Sequence, residues 1–407
     1  MSILLTNLAL LDTDQGVLLN GHEVLIEGKQ IASVDSGIDR KKARLVLDLG
    51  GRTLMPGLID CHVHLHRMPN VPTPVMLPSL ITAHAGKTLK GMLARGFTTV
   101  RDAGGADAGH RQAVEQGIFE GPRVFVSGRA ISQTGGHGDP RSPADLTSPC
   151  GCTHLVAGMG RVADGDAEVR RAVRDEIRLG ADQIKVMAGG GVGAIADPID
   201  QLQYSTQELE AIVDEARRSH RYVMAHVYTD EGIRRCVDAG IRTIEHGHFL
   251  TEKTARAMVD RNAYLSTNLA TYQLIVNEGE ALGFPASTIE KSREILAIGG
   301  RAIDIARHCG LKTAFATDLT RMPERQGDEF LARADIMPAA EIIRSATVIG
   351  AEVVRMAGKL GAITPGAIAD LLVVDGNPLE DISLLAQDGG SLRLIMKEGR
   401  LYKNELG

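Results

Sequence analysis

The sequence contains no tryptophan, and aromatic residues make up only 3% of its 407 residues. Surfaces that stack nucleic-acid bases depend on aromatic side chains, so no such surface is expected here. The chain also lacks a dense cluster of basic residues, and its net charge is −6. Both features argue against a protein that binds nucleic acid.

Long hydrophobic runs are also missing. No apolar stretch reaches the roughly 20 residues that a membrane-spanning helix requires. The first residues, Met1 to Leu5, lack a basic start followed by an apolar core, so we expect no secretion signal and no membrane partner.

Cysteine is scarce, and its five positions follow no regular spacing. An odd number of irregularly spaced cysteines indicates reduced thiols and therefore predicts a cytoplasmic location. Cys150 and Cys152 resemble half of a metal-binding clip, but no second cysteine pair exists, so we interpret them as loop thiols without a function. The five are Cys61, Cys150, Cys152, Cys236 and Cys309.

The middle of the chain alternates between two patterns. Eight short apolar runs are typical of strands, and the stretches between them show the spacing of amphipathic helices. Eight strands with intervening helices match a (β/α)8 TIM barrel, although an open doubly wound sheet would show the same alternation. The runs are 54–65, 97–102, 123–128, 183–188, 222–227, 243–247, 264–268 and 313–318, and the helical stretches are 80–95, 111–119, 166–179, 206–219, 230–239, 252–261, 289–309 and 339–357.

Strand-like composition returns at both ends of the chain. It covers 3–11, 23–34 and 44–49, with a hairpin break at Gly28-Lys29, and again 368–375 and 392–402. We therefore predict an α/β protein in which both termini build one small, discontinuous β-sandwich domain beside the barrel. The predicted boundaries are 1–55 and 358–407 for the sandwich and 56–357 for the barrel.

Histidines end the first barrel strand. Side chains alternate along a strand, so His62 and His64 project to the same face. Two imidazoles on one face could form part of a metal site. A pair of core or surface histidines is the plainer explanation for an isolated H-x-H pattern.

Later strands also carry polar groups near their carboxyl ends, where barrel enzymes place their catalytic residues. Lys185 lies in the fourth strand, His226 and His246 end the fifth and sixth, and Asp318 ends the eighth. Such a coincidence on separate apolar strands favours a shared site. For Lys185 the alternative is an ammonium group that reaches solvent, and for Asp318 it is a helix N-cap.

These motifs resemble the amidohydrolase superfamily of metal-dependent hydrolases, and within it the prolidase-like dipeptidases, carboxypeptidases and ochratoxin-hydrolysing amidases. The resemblance covers essentially the whole chain and implies that the barrel is distorted. It rests on Pro56-Gly-Leu-Ile-Asp-Cys-His62-Val-His64, Gly96-Phe-Thr-Thr-Val-Arg101-Asp102, Thr134-Gly-Gly-His137-Gly-Asp139, Ile184-Lys185-Val-Met-Ala-Gly-Gly-Gly, Ala225-His226-Val-Tyr228, His246, Thr317-Asp318 and the stretch from Gly361 to Asp375.

The resemblance implies a binuclear centre with two divalent ions, which we expect to be zinc. His62 and His64 would hold the more buried ion, and His226 and His246 the more exposed one. Lys185, carboxylated with CO2 or bicarbonate, would bridge them. Asp318 would contact the first ion and take the proton of the bridging water.

Substrate contacts are predicted for two further residues. His137 could polarise the substrate carbonyl or bind a carboxylate, and the resemblance suggests that Tyr228 contacts the substrate's α-carboxylate. An exposed loop histidine and an amphipathic rim tyrosine are the alternatives. Arg321 could pair with a substrate carboxylate, but we interpret it as a solvated side chain. His66 and His248 are interpreted as supporting or rim residues, and Asp102, which ends the second strand, as a structural residue.

Two loops are singled out by composition. Residues 131–165 form the longest stretch without periodicity, and after the third strand they would overhang the catalytic face. The glycines of 189–193 fit neither a P-loop nor a dinucleotide fingerprint, so we predict a tight turn over the metal site.

The sequence therefore predicts a metal-dependent hydrolase that cleaves an amide and releases a C-terminal amino acid. Its substrate would be a dipeptide or an N-acyl amino acid, with ochratoxin A as a candidate. Hydrolysis of a cyclic amide or deamination is the alternative chemistry, and a non-enzymatic scaffold of the same fold is the remote one. We also expect a homo-oligomer, since barrels of this family commonly self-associate.

Overall fold

The structure is a computed structural model that describes residues 2–66, 77–141, 144, 159–193 and 197–406. The two thiols of Cys150 and Cys152 lie outside these residues, as do 142–143 and 145–158 of the predicted loop 131–165. No helix in the described part of the chain is long and apolar enough to cross a membrane.

The strands follow the order β1 to β20 along the chain. The first seven are β1 (Ser2–Thr6), β2 (Ala9–Asp12), β3 (Val17–Asn20), β4 (Glu23–Glu27), β5 (Gln30–Asp35), β6 (Leu45–Asp48) and β7 (Thr53–Pro56). The next ten are β8 (Leu58–Val63), β9 (Phe97–Asp102), β10 (Arg123–Phe125), β11 (Ala130–Ser132), β12 (Gly160–Val162), β13 (Ile184–Met187), β14 (Val223–Val227), β15 (Thr243–His246), β16 (Tyr264–Thr267) and β17 (Thr313–Phe315). The last three are β18 (Leu371–Val374), β19 (Leu392–Lys397) and β20 (Arg400–Asn404).

The α-helices lie between the barrel strands and after the last of them. They are α1 (Pro78–Ala94), α2 (Ala108–Glu115), α3 (Gly165–Arg178), α4 (Thr206–Arg218), α5 (Asp230–Asp238), α6 (Glu252–Asp260), α7 (Ala270–Glu278), α8 (Ala286–His308), α9 (Asp328–Ala334), α10 (Ala339–Ser345) and α11 (Val348–Val353). Short helical turns also occur at Arg40–Lys42, Pro323–Gly327 and Ile382–Leu385.

The central strands are parallel and form a distorted (β/α)8 barrel, as predicted. One sheet has the order β10-β9-β8, and the other runs β12-β11-β13-β14-β15-β16-β17. Single main-chain hydrogen bonds close the two seams. Asp318 N–H donates to His62 O over 2.9 Å, and Asp182 N–H donates to Val126 O over 2.7 Å. The first seam therefore places the ends of the first and eighth strands side by side.

Both termini contribute to one β-sandwich. The sheets have the orders β5-β4-β1-β6 and β20-β19-β18-β7-β2-β3. A single apolar core joins them, and it includes Leu5, Ile26, Leu54, Leu371 and Met396. Because residues far apart in the sequence share this core, the N-terminal strands bury their apolar side chains only when the C-terminal strands are present. The predicted domain boundaries themselves stay predictions.

The barrel packs its outward-facing strand residues under the helices. Val169 and Val173 of α3, for example, share a buried cluster with Ile184 and Val186 of β13. The predicted period of α3 is confirmed, since Val169, Ala172 and Val173 are buried on one face.

Several predicted elements were wrong in extent. The run 54–65 is not one strand, because the chain changes sheets at Gly57. Gly57 N–H donates to Asp370 O of the terminal domain, whereas the next residue, Leu58, donates to Gly96 O of the barrel. A β-carbon at Gly57 would overlap the side chain of Thr98, so a larger residue does not fit at this crossing.

Other elements were missed or divided. The run 3–11 is two strands, β1 and β2, separated by a turn at Asn7, which has φ of 51°. The strand β3 and the helices α7 and α9 were not predicted. The aperiodic stretch 131–165 is bounded by two short parallel strands, β11 and β12, that pair with each other.

Candidate active site

His62 and His64 lie where β8 ends, at the carboxyl end of the barrel. The Nε2 atoms of His62 and His64 are 3.7 and 3.3 Å from Asp318 Oδ1. Because β8 and the end of the eighth strand are joined at the seam, residues 62 and 318 meet despite their separation in sequence. The structure therefore brings together three of the predicted ligands.

His246 completes this group from the end of β15. Ligand atoms of His62, His246 and Asp318 all lie within 4.8 Å of one another. His246 has φ of 71° and Asp318 has φ of 50°, a left-handed conformation that non-glycine residues rarely adopt. Backbone strain of this kind is concentrated at functional sites, which is consistent with a role for both side chains.

Each imidazole of the first strand has one nitrogen engaged by an acceptor. His62 Nδ1 lies 2.8 Å from Glu245 Oε2, and His64 Nδ1 lies 2.9 Å from Gly104 O. A carboxylate and a carbonyl can only accept, so each Nδ1 carries the proton. The lone pair therefore sits on Nε2 in both rings, which is the arrangement that metal-binding histidines show.

The other two histidines also have one ring nitrogen engaged by an acceptor, although it is not the same nitrogen in both. His226, at the end of β14, directs Nε2 to Gly190 O over 3.2 Å, and His246 Nδ1 lies 3.0 Å from Asn268 Oδ1. The ring centroids of His226 and His246 are 4.5 Å apart. His226 Nδ1 and His246 Nε2 are left as the atoms with lone pairs.

Three of the four histidines are neutral as well as oriented. Burial lowers the pKa of His62 to about 4 and places the pKa values of His226 and His246 well below the ordinary value. Neutral imidazole is the form that binds a metal ion. These three imidazoles, the oriented ring of His64 and the carboxylate of Asp318 fit a centre for divalent metal ions.

A buried ion pair between Arg101 and Glu245 contacts one of these histidines, His62. Arg101 donates to both oxygens of Glu245, at 2.9 and 3.0 Å, and also to Cys61 O and Thr243 Oγ1. Burial alone would raise the pKa of Glu245, but the charge of Arg101 and the hydrogen bond from His62 hold this pKa far below its usual range. Glu245 is thus a fixed carboxylate that can orient His62.

Lys185 lies in β13, next to β14, and is almost completely buried. Burial lowers the pKa of Lys185 to about 8, against the opposing charges of Glu245 and Asp318. The amine is therefore partly uncharged near neutral pH, which is the reactive form toward CO2. The structure places Lys185 inside the barrel, and its role as a bridging ligand stays a prediction.

His137 is in the site, on the stretch that follows β11. Its ring stacks on His226 with centroids 4.2 Å apart and an interplanar angle of 11°. Its Nδ1 lies 2.7 Å from Asp197 Oδ2, and its main-chain N–H donates to Gln203 Oε1. His137 is therefore not the freely exposed loop residue of the alternative interpretation, and this part of the loop borders the site as predicted.

Tyr228 is also in the site but is less accessible than a rim residue. Its ring stacks on His246 at a centroid distance of 4.9 Å, and its hydroxyl lies 2.8 Å from the hydroxyl of Tyr272. The Tyr272 hydroxyl is in turn 3.2 Å from His246 Nδ1. Tyr228 and a candidate ligand thus share one hydrogen-bonded partner.

Comparison with known proteins agrees with this arrangement. The model of the amidohydrolase family matches residues 53–401. Ochratoxinase from Aspergillus niger is 32% identical over 97% of this chain and 85% of its own length.

The chain belongs to the amidohydrolase family.

Solved structures of family members superpose closely on this amidohydrolase. A crystal structure described as an amidohydrolase has a TM-score of 0.95 and 47% identity, and the match covers all of both chains. A prolidase in complex with N-methylphosphonate-L-proline has a TM-score of 0.95 and 43% identity, and the match covers 99% of this chain and 100% of the prolidase chain.

Several supporting residues of this amidohydrolase were not predicted from the sequence: Arg101, Glu245, Asn268, Tyr272 and Asp197. For two of them a signal was present, since Arg101 and Glu245 are charged residues inside otherwise apolar strands. Such residues are seldom buried unless they are paired. Tyr272 and Asp197 lie in segments whose approach to the site only the tertiary structure determines.

The secondary candidates have mixed outcomes. Asp102 is structural, because it accepts N–H groups from Leu65, Gly104 and Ala106. The interpretation of Arg321 as a solvated side chain was wrong, because it packs over the ring of Phe284 and donates to a main-chain carbonyl.

The remaining two histidines contact other side chains, and His248 is buried whereas His66 is half-buried. His248 Nε2–H donates to Asn268 O over 2.9 Å, and the ring packs edge-on against Tyr272. His66 packs against His110 with centroids 4.9 Å apart.

The glycines of 189–193 do not form the predicted tight turn, but they do border the site. The connection from β13 to α4 spans 188–205, and Gly189 bridges to Leu202. Gly190 supplies the acceptor for His226, and a β-carbon at Gly191 would overlap the ring of His137. These glycines therefore allow two histidines to approach the backbone closely.

Proposed function

We propose that this protein is a metal-dependent amide hydrolase that releases a C-terminal amino acid from a dipeptide or an N-acyl amino acid. The observation that carries the proposal is the set of four oriented histidines around the ionised Asp318. The similarity to a prolidase and to ochratoxinase supports the same reaction class.

The proposed centre holds two divalent ions. His62, His64 and Asp318 would hold one, His226 and His246 the other, and a carboxylated Lys185 would connect them. A donor set this rich in imidazole favours zinc among the common biological cations. When bound, the ions would lower the pKa of a water molecule and polarise the scissile carbonyl.

Asp318 is proposed as the residue that moves the proton. Burial raises its pKa, but the charge that the imidazoles of His62, His64 and His246 carry when they are protonated holds that pKa far below its usual range. The carboxylate is therefore already ionised at the pH at which these rings become neutral. It can then take the proton of the attacking water and deliver it to the leaving nitrogen. Its main-chain N–H is fixed by His62 O, which restricts where the carboxylate can lie.

His137 and Tyr228 are proposed to bind the substrate. Both rings stack on histidines of the proposed centre, so polar atoms of either ring are near a molecule bound there. An imidazole and a phenol can donate hydrogen bonds to a carbonyl or a carboxylate. We propose that they select substrates with a free α-carboxylate.

We also propose, from the sequence alone, that the protein is a cytoplasmic homo-oligomer.

A substrate panel tests the proposal. The zinc-loaded protein would be incubated with dipeptides and N-acetyl amino acids that vary in the C-terminal residue, with ochratoxin A, and with the same compounds amidated at the C-terminus. We expect release of the C-terminal amino acid from free acids and little or none from amidated ones. Equal cleavage of both series would contradict carboxylate recognition, and no cleavage by protein with two metal ions would overturn the proposed reaction.

A further inference from the structure

The strongest unassigned feature of the site is the contact between His137 and Asp197. The carboxylate of Asp197 is almost completely buried, and its Oδ2 lies 2.7 Å from His137 Nδ1. Its other oxygen, Oδ1, is buried and has no hydrogen-bond partner in the described part of the chain. A buried carboxylate with a single partner depends strongly on that partner.

The ring of His137 is held on three sides. One face lies flat on His226, Nδ1 points to Asp197, and the Gly191 backbone is so close that a β-carbon there would overlap the imidazole. The main chain of His137 is tied separately to Gln203. With Nδ1 occupied, Nε2 is the only ring nitrogen left to contact a substrate.

The segment that carries Asp197 is itself anchored. Lys291 of α8 donates to Asp197 O and to Gly191 O, each over 2.9 Å. The main chain of Asp197 and the glycine under the His137 ring are therefore fixed to the same helix. The position of Asp197 therefore does not depend on its contact with His137 alone.

We propose that Asp197 is a positioning residue that fixes the orientation and the Nδ1–H tautomer of His137, so that Nε2 faces the substrate's carboxylate or carbonyl oxygen. The inference rests on the proposed function, because it assigns Asp197 a role only through His137 and the substrate. In the absence of the carboxylate, the imidazole can rotate or shift its proton, and the substrate loses a fixed partner.

A double-variant cycle separates this role from a merely structural one. We would measure kcat and KM for a free-acid substrate with Asp197→Leu, His137→Gln and the double variant. If Asp197 acts through His137, the double variant is no worse than His137→Gln alone. We expect Asp197→Leu to raise KM about ten- to a hundredfold, in line with the cost of a misplaced binding group, with much less change in kcat.

Two further variants keep the test independent of folding. Asp197→Asn retains an oxygen that can accept the Nδ1 proton, so it should restore much of the lost affinity. Gly191→Ala leaves Asp197 in place but displaces the ring, so it should raise KM like His137→Gln. Asp200→Asn, an exposed aspartate three residues along the same segment, is the control and should behave as wild type. Metal content and circular dichroism would be compared throughout.

The outcomes are distinct. Additive effects of Asp197→Leu and His137→Gln, or unchanged KM in Asp197→Leu, would overturn the inference while the proposed function stands. A wild-type protein that cleaves none of the panel would overturn the proposed function, and the inference with it. Non-additive effects together with recovery in Asp197→Asn would support both.

Discussion

Glu245 and His62 are joined by a hydrogen bond of 2.8 Å between two completely buried side chains. The same carboxylate also forms a buried ion pair with Arg101, so this ion pair is in contact with a candidate metal ligand. Burying three such groups has a large desolvation cost, which the strands β9 and β15 offset only by satisfying each polar atom. This arrangement is better explained by the orientation of His62 than by stability.

Glu245→Gln should weaken metal binding. Glutamine keeps the shape but not the charge, so Arg101 loses its counter-ion and His62 loses a carboxylate acceptor. Replacing such a partner of a metal-binding histidine typically costs 10- to 100-fold in affinity. We expect a loss of this size, measured as the zinc retained against a graded series of chelator concentrations.

The matched control is Glu329→Gln. Glu329 pairs with Arg333 at 2.7 Å, and both side chains are buried, but no candidate metal ligand bonds to this pair. The Glu329→Gln substitution should lower the denaturation midpoint and leave the zinc affinity of the folded protein unchanged. Equal zinc affinity in both variants would show that Glu245 does not orient a ligand.

Lys185→Ala should reduce the metal content. Alanine cannot be carboxylated, so the anionic bridge proposed for this position would be lost. A small carboxylic acid such as acetate or propionate in the buffer should restore part of the metal content and part of the activity. Metal analysis after desalting, with and without the acid, checks this. Two ions per chain in the variant without any additive would contradict the bridging role.

Tyr272→Phe should raise KM for free-acid substrates. The change removes only the hydroxyl that contacts both the Tyr228 hydroxyl and His246 Nδ1. We expect a rise of several-fold, as for one lost hydrogen bond, and a smaller effect on amidated substrates. Tyr264→Phe, which removes a hydroxyl bonded to Glu352, is the control and should leave KM unchanged. Identical behaviour of the two variants would remove Tyr272 from substrate binding.

The buried thiols should resist alkylation. Burial raises the pKa of Cys61 and Cys236 to about 12, above the ordinary thiol value, so the reactive thiolate is scarce at pH 8. Peptide mapping after maleimide treatment should show modification of these two cysteines in denaturant only. Rapid labelling of either in the native protein would contradict the burial of β8 or α5.

The strand-end ligands could be predicted because strand geometry is local and periodic. Alternation placed His62 and His64 on one face, and the barrel rule placed His226, His246 and Asp318 at the same end. These inferences need only the pattern of each strand and the parallel arrangement of all of them.

The partners of those ligands could not be predicted in the same way. Arg101 and Glu245 are 144 residues apart, and their pairing depends on which strands face each other across the barrel interior. The division of the run 54–65 depends on two carbonyl groups from distant parts of the chain. Asp370 O and Gly96 O accept from the N–H groups of two neighbouring residues, which only the tertiary structure determines. Local patterns therefore indicated the ligands and left their orientation to the folded structure.

The most direct test of the central claim is turnover by Asp318→Asn measured beside its metal content. Asparagine keeps the size of the side chain but cannot take a proton from water. We expect two ions per chain, a native circular dichroism spectrum and a loss of kcat of about 10²- to 10⁴-fold. Turnover at the wild-type rate with the metal ions present would contradict the role of Asp318 in proton transfer.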